Sequence, residues 1–128
     1  MYVSLGCTAE FNTTEACYKS LLSNSVVEKL YSKYATSLGV KFEANRELGS
    51  TDMGDVSKIK PSIHPCFAIK CDAPNHSPEF TQGAGALENQ TPTLNAGKAM
   101  AFAGIELILN PLLIKEAEKE FHRDIKNY

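Results

Sequence analysis

The sequence predicts an α/β fold, and three patterns carry that reading. Val3, Leu5, Cys7, Ala9 and Phe11 alternate with Ser4, Gly6, Thr8, Glu10 and Asn12, the two-residue period of a strand with one buried face. Apolar residues then recur at helical spacing across Ser25 to Leu38. Beyond them the order strand, loop, strand, loop, helix, helix runs to the C-terminus, which suits helices laid on a sheet.

Each element has its own signals. Asn12-Thr13-Thr14 ends the opening strand. In the first helix Val27, Leu30, Tyr31, Tyr34 and Leu38 form the apolar stripe, Ser25 with Glu28 reads as a capping box, and Gly39 supplies the stop. Val40 to Phe42 reads as a short buried strand. A turn follows, Gly49-Ser50-Thr51-Asp52-Met53-Gly54-Asp55, rich in glycines, hydroxyls and carboxylates. Ile63, Phe67 and Ile69 suit another buried strand, with Pro65 near its start. Ser77-Pro78-Glu79 is a helix start with proline at the first helical position. Thr91-Pro92 opens a long helix to about Leu109, and its small residues, Ala96, Gly97, Ala99, Ala101, Ala103 and Gly104, predict close packing against a sheet. Asn110-Pro111 breaks it and begins a last helix to about Asn127, apolar at Leu113, Ala117, Phe121 and Ile125.

Composition bounds the function. The chain has 128 residues, 43% of them hydrophobic and 22% charged, near globular averages and unlike disordered, collagen-like or coiled-coil chains. Surface scaling gives a compact chain of this mass roughly 6,700 Å² of exposed area, about a third of what the open chain exposes. A net charge of -2 gives no electrostatic footprint for nucleic acid or an anionic membrane, so neither is expected as a partner. The most apolar stretch, Ala99 to Leu109, is interrupted by Glu106 well short of a membrane span. Cys7, Cys17, Cys66 and Cys71 lie at irregular intervals, allow three disulfide pairings and read as reduced thiols. A cytoplasmic location is the expectation.

Candidate chemistry is sparse. None of the three histidines, His64, His76 and His122, is paired at the spacing that brings two imidazoles to one ion. His122 sits in a charged terminal helix and reads as a surface residue, and His64 as a hydrogen-bonded structural one. His76 differs: it follows a predicted strand on a loop with Asn75, Ser77 and Pro78, the kind of place where α/β proteins build sites. The Gly49 to Asp52 turn could hold a carboxylate or phosphate through its N–H groups and hydroxyls, yet it is no P-loop, and the chain has no G-x-S-x-G nucleophile elbow.

In combination these segments resemble a known family. Gly6-Cys7-Thr8, Gly49-Ser50-Thr51-Asp52, Ile63-His64-Pro65, His76-Ser77-Pro78-Glu79-Phe80 and Ala96-Gly97-Lys98-Ala99-Met100-Ala101, in this order over nearly the whole chain, resemble the C-terminal third of the M20 zinc peptidases and amidohydrolases. The resemblance implies the C-terminal part of an α/β/α metallopeptidase catalytic domain over residues 14–128. Residues 1–13 would be the last strand of an inserted lid, or dimerisation, domain. It implies that His76 is a metal ligand, that Gly49, Ser50, Thr51 and Asp52 line the substrate pocket, and that two zinc ions serve the complete enzyme. It implies as well a dipeptide or N-acyl amino acid as substrate and a homo-oligomeric complete enzyme.

The departures are as informative. The family's His-x-Asp, Glu-Glu pair and further ligand have no counterpart here, and no Glu-Glu or Asp-Glu dipeptide occurs in the chain. Hydrolysis assisted by two ions needs both ions held and a carboxylate to move protons. The chain alone is therefore expected to be an inactive fragment, with at most a weak partial zinc site. The alternative reading is a non-catalytic interaction module derived from that fold.

Overall fold

The computed structural model describes residues 3–4, 7–8, 10, 18–40 and 51–127. Its described residues form a helical assembly, not the α/β fold that the alternation predicts. The strand pairing is confined to β1 (Val3–Ser4) against β2 (Cys7–Thr8), antiparallel, with Val3 opposite Thr8 and Ser4 opposite Cys7. The opening run thus folds back on itself in place of forming one strand across residues 3–11. Ile63 to Ile69 forms no strand either; a lone parallel bridge between Ser23 and Ser62 is what pairs near it. A strand needs a neighbour for its N–H and C=O groups, and Pro61 and Pro65 remove two donors from this stretch. The short strand expected at Val40 to Phe42 lies largely outside the described residues.

Five helices follow: α1 (Ser25–Ser37), α2 (Met53–Ser57), α3 (Pro78–Gly85), α4 (Leu87–Leu109) and α5 (Pro111–Asp124), the last continued by a 3-10 turn over Ile125–Asn127. The cap of α1 is Asn24, not the Ser25–Glu28 box. Its Oδ1 accepts from the Val27 N–H at 3.2 Å, its N–H donates to the Ser62 carbonyl at 2.9 Å, and its Nδ2 donates to the Ala117 carbonyl at 2.9 Å. Ser25 is engaged elsewhere, donating both its N–H and its hydroxyl to the Glu120 carboxylate of α5. One buried asparagine therefore sets the start of α1 and ties it to α5. At the other end Gly39 takes φ +71°, the Val40 N–H reaches the Ala35 carbonyl at 2.8 Å and the Gly39 N–H reaches Thr36 at 3.1 Å. This is a Schellman stop, and it delivers Val40 into the core.

The core consists of Tyr31, Ala35, Val40, Ala96 and Ala99, flanked by Tyr34, Leu38 and Ile63. The small residues of α4 serve close packing as expected, but against α1 in place of a sheet. Glu106, the interruption of the apolar stretch, accepts from Lys33 Nζ at 2.7 Å and Tyr34 Oη at 2.5 Å, and so latches α4 to α1. Tyr34 also meets Phe102 with ring centroids 5.5 Å apart. Pro92 lies inside α4, not at its start, because the helix begins one turn earlier at Leu87. The α4 and α5 axes meet at 102°, and no single helix among the described residues is long and apolar enough to cross a membrane.

Candidate functional site

The loop carrying His76 is built by its neighbours. Ser77 caps α3: its Oγ accepts from the Phe80 N–H at 3.1 Å and donates to the Pro74 carbonyl at 2.8 Å, closing the loop over residues 74–77. Pro78 takes the first helical position, as its sequence position predicts. Immediately before this cap, His76 is the non-glycine residue with positive φ, +66°, among the described residues. Histidine tolerates this left-handed region better than most side chains. Such geometry costs free energy, and His76, which is exposed, holds it on the loop ahead of α3.

The loop's other root is Asn89, fully buried in the first turn of α4. Its Oδ1 accepts from the Lys70 N–H at 2.7 Å, and its Nδ2 donates to the carbonyls of Lys70 at 3.2 Å and Gly83 at 2.8 Å. One side chain thereby joins α4, the end of α3 and the irregular segment that leads to His76. The sequence reading missed it by starting α4 at Thr91. A signal was present: Asn89, Ala96 and Ala103 recur every seven residues on the buried face, and a polar residue on such a face needs hydrogen-bond partners. Close packing supports the same junction, since a Cβ on Gly83 would lie 2.6 Å from Cys71 Sγ.

The other expected pocket residues are placed separately. Gly49 and Ser50 lie outside the described residues. Thr51 and Asp52 stand at the start of α2, where Thr51 Oγ1 accepts from the Met53 N–H at 3.3 Å and Asp52 is the exposed cap residue. Among the described residues no hydrogen bond or ion pair joins them to His76. The α2 turn is instead pressed on residues 19–22. A Cβ on Gly54 would lie 1.7 Å from the Lys19 carbonyl oxygen, and Ser57 Oγ accepts from the Leu22 N–H at 2.9 Å.

His64 differs from its expectation. Its Nδ1 is buried without a hydrogen-bond partner among the described residues, so the hydrogen bond that its place in the sequence predicts is not made through that nitrogen. His122 lies exposed on α5 with its ring 5.4 Å from that of Phe121. Nearby, burial first and the Cys66 charge second raise the Tyr31 phenol above its ordinary range, which keeps it neutral in the core. Cys66 and Cys71 are free thiols. Among the described residues no group of three or more His, Cys, Asp or Glu side chains could hold a metal ion. The donors described here do not fit a metal centre by themselves.

Comparison with known proteins adds what the geometry leaves open. No family model matches the chain, and no solved structure matches it. The chain is 34% identical over 124 residues to the Xaa-Arg dipeptidase of Mus musculus and 36% identical over 121 residues to that of Homo sapiens. The matches cover 93% and 91% of this chain but 29% and 28% of those proteins. The chain is thus a homologue of these dipeptidases across nearly all of its own length and less than a third of theirs.

Proposed function

We propose that the chain carries the C-terminal portion of an M20-type metal-dependent amidohydrolase, akin to the aminoacylase-1-like members of that family. The reaction is hydrolysis of the amide bond of a dipeptide or N-acyl amino acid, and the names of the matched relatives favour a dipeptide ending in arginine. The carrying observation is the identity of a third or more to the two dipeptidases over almost the whole chain. In this reading His76 contributes one neutral imidazole nitrogen to a zinc site whose other ligands lie outside this chain. Its exposed, backbone-strained position before the α3 cap is consistent with that role. Gly49 to Asp52 shape the substrate pocket.

The test is a graft of this chain into the mouse Xaa-Arg dipeptidase in place of its matched stretch. Release of arginine and bound metal are measured. The expected result is turnover that falls by roughly 100-fold or more, together with loss of metal, on His76→Ala. A graft that unfolds cooperatively yet is inactive favours the non-catalytic module, and turnover indifferent to His76→Ala removes the ligand assignment.

A further inference from the structure

His76 holds a positive φ, +66°, without being a glycine. Such a conformation persists only where the surrounding structure over-determines the backbone. One restraint lies just downstream: the Ser77 hydroxyl caps α3 and closes back on the Pro74 carbonyl. The restraint upstream comes from a different helix.

It is supplied by Asn89 in the first turn of α4, a side chain with 0% of its surface exposed. A side-chain amide offers one carbonyl oxygen and two N–H donors, whereas aspartate accepts without donating and leucine does neither. Here Oδ1 takes the Lys70 N–H, and Nδ2 donates to the carbonyls of Lys70 and Gly83. Lys70 is thus held by both of its backbone polar groups, at a kink where the Cys71 N–H reaches back to the Ile69 carbonyl at 3.0 Å. The α3 helix closes the clamp from the other side. A Cβ on Gly83 would lie 2.6 Å from Cys71 Sγ and 2.8 Å from Cys71 Cβ, so bare backbone at Gly83 is what admits Cys71.

We infer that Asn89 is a positioning residue for His76: by clamping Lys70 to Gly83 it fixes the upstream end of the 70–77 stretch and, with the Ser77 cap at the other end, keeps the His76 backbone in the left-handed region. It acts through the backbone of Lys70. The effect on the backbone stands on the hydrogen bonds alone, whereas the effect on catalysis rests on the functional reading above.

The experiment measures, in the full chain, the nuclear Overhauser effect between the His76 amide and α protons, which is strong at positive φ because the two protons then lie close. With Asn89→Ala it should weaken about twofold or more as His76 relaxes to negative φ. Gly83→Ala, which drives Cys71 away, should weaken it as well and serves if Asn89→Ala fails to fold. Asn95 is the control, since its Nδ2 also runs from α4 to a backbone carbonyl, that of Leu38 at 3.1 Å, but away from the loop. Asn95→Ala should lower stability without moving the signal. A signal unchanged in folded Asn89→Ala or Gly83→Ala, or one weakened equally by Asn95→Ala, would overturn the inference. In the grafted dipeptidase Asn89→Ala should lower kcat about tenfold at nearly unchanged KM. Full turnover there, with His76→Ala inactive, would overturn the positioning role. Turnover indifferent to both changes removes the enzyme reading and leaves the backbone clamp standing.

Discussion

The Asn89 side chain spans the backbone of Lys70, accepting from its N–H at 2.7 Å and donating to its carbonyl at 3.2 Å. It satisfies both polar groups of one residue in the segment that leads to His76 and ties that segment to the first turn of α4. The exposed Lys70–Glu88 ion pair at 3.2 Å lies beside it and adds little. Replacing Asn89 by Leu should leave these backbone groups and the Gly83 carbonyl unsatisfied, at roughly 1–3 kcal/mol for each group that water cannot reach. Urea unfolding and hydrogen exchange at the Lys70 amide would read the loss; wild-type protection there would refute the anchoring role.

The Glu106 latch predicts the pH dependence of stability. Hydrogen bonds from Lys33 and Tyr34 lower the Glu106 carboxyl below its usual 4.5, so its contribution is present above that pH and fades as pH falls through the lowered value. The hydrogen bond to Glu106 raises Lys33 above 10.5 and Tyr34 above 10.0, so theirs is present below those values and fades as pH rises beyond them. A thermal midpoint that is level between these limits and drops outside them is expected. Glu106→Gln should flatten the acid limb, and added salt should shrink it because the pair is solvent-exposed. An acid limb unchanged in Glu106→Gln would assign it to other carboxylates.

Gly54 is the point at which α2 touches the chain before α1. A methyl group there would lie 1.7 Å from the Lys19 carbonyl oxygen, a backbone atom that cannot swing aside. Gly54→Ala should therefore push α2 away and cost about 1–3 kcal/mol. The Lys19–Asp55 contact at 3.6 Å would open with it. Unfolding at the wild-type urea midpoint would contradict this close approach.

His76 offers a test that separates backbone from side chain. Asparagine also accepts positive φ, so His76→Asn should leave stability near wild type, whereas a β-branched His76→Val should cost about 1–3 kcal/mol. In the grafted dipeptidase both substitutions should remove metal. Metal retained by His76→Asn would show that the loop's shape, not the imidazole, matters.

Local signals in the sequence read correctly where the competing interactions are also local. Gly39 ends α1, Ser77 and Pro78 start α3, and Pro111 starts α5, each through bonds spanning a few residues. The sheet was misread because alternation at Val3 to Phe11 states which residues share a face without stating what they pair with. The structure turns that run back on itself. The Ser25–Glu28 box lost to Asn24 through partners far away in sequence, Ser62 and Ala117 for Asn24 and Glu120 for Ser25. The candidate site was readable at His76, whose motif is local. It was hidden at Asn89, whose purpose appears once Lys70 and Gly83 stand beside it.

The alanine seam between α1 and α4 has an entropic consequence. Alanine has no rotamers to lose, so bringing Ala35 against Ala96 and Ala99 freezes no χ angle, whereas settling leucines and isoleucines against another surface does. The ordering cost of the α1–α4 contact therefore falls on its larger members, Tyr31, Tyr34 and Leu38, which the alanines let approach the α4 backbone.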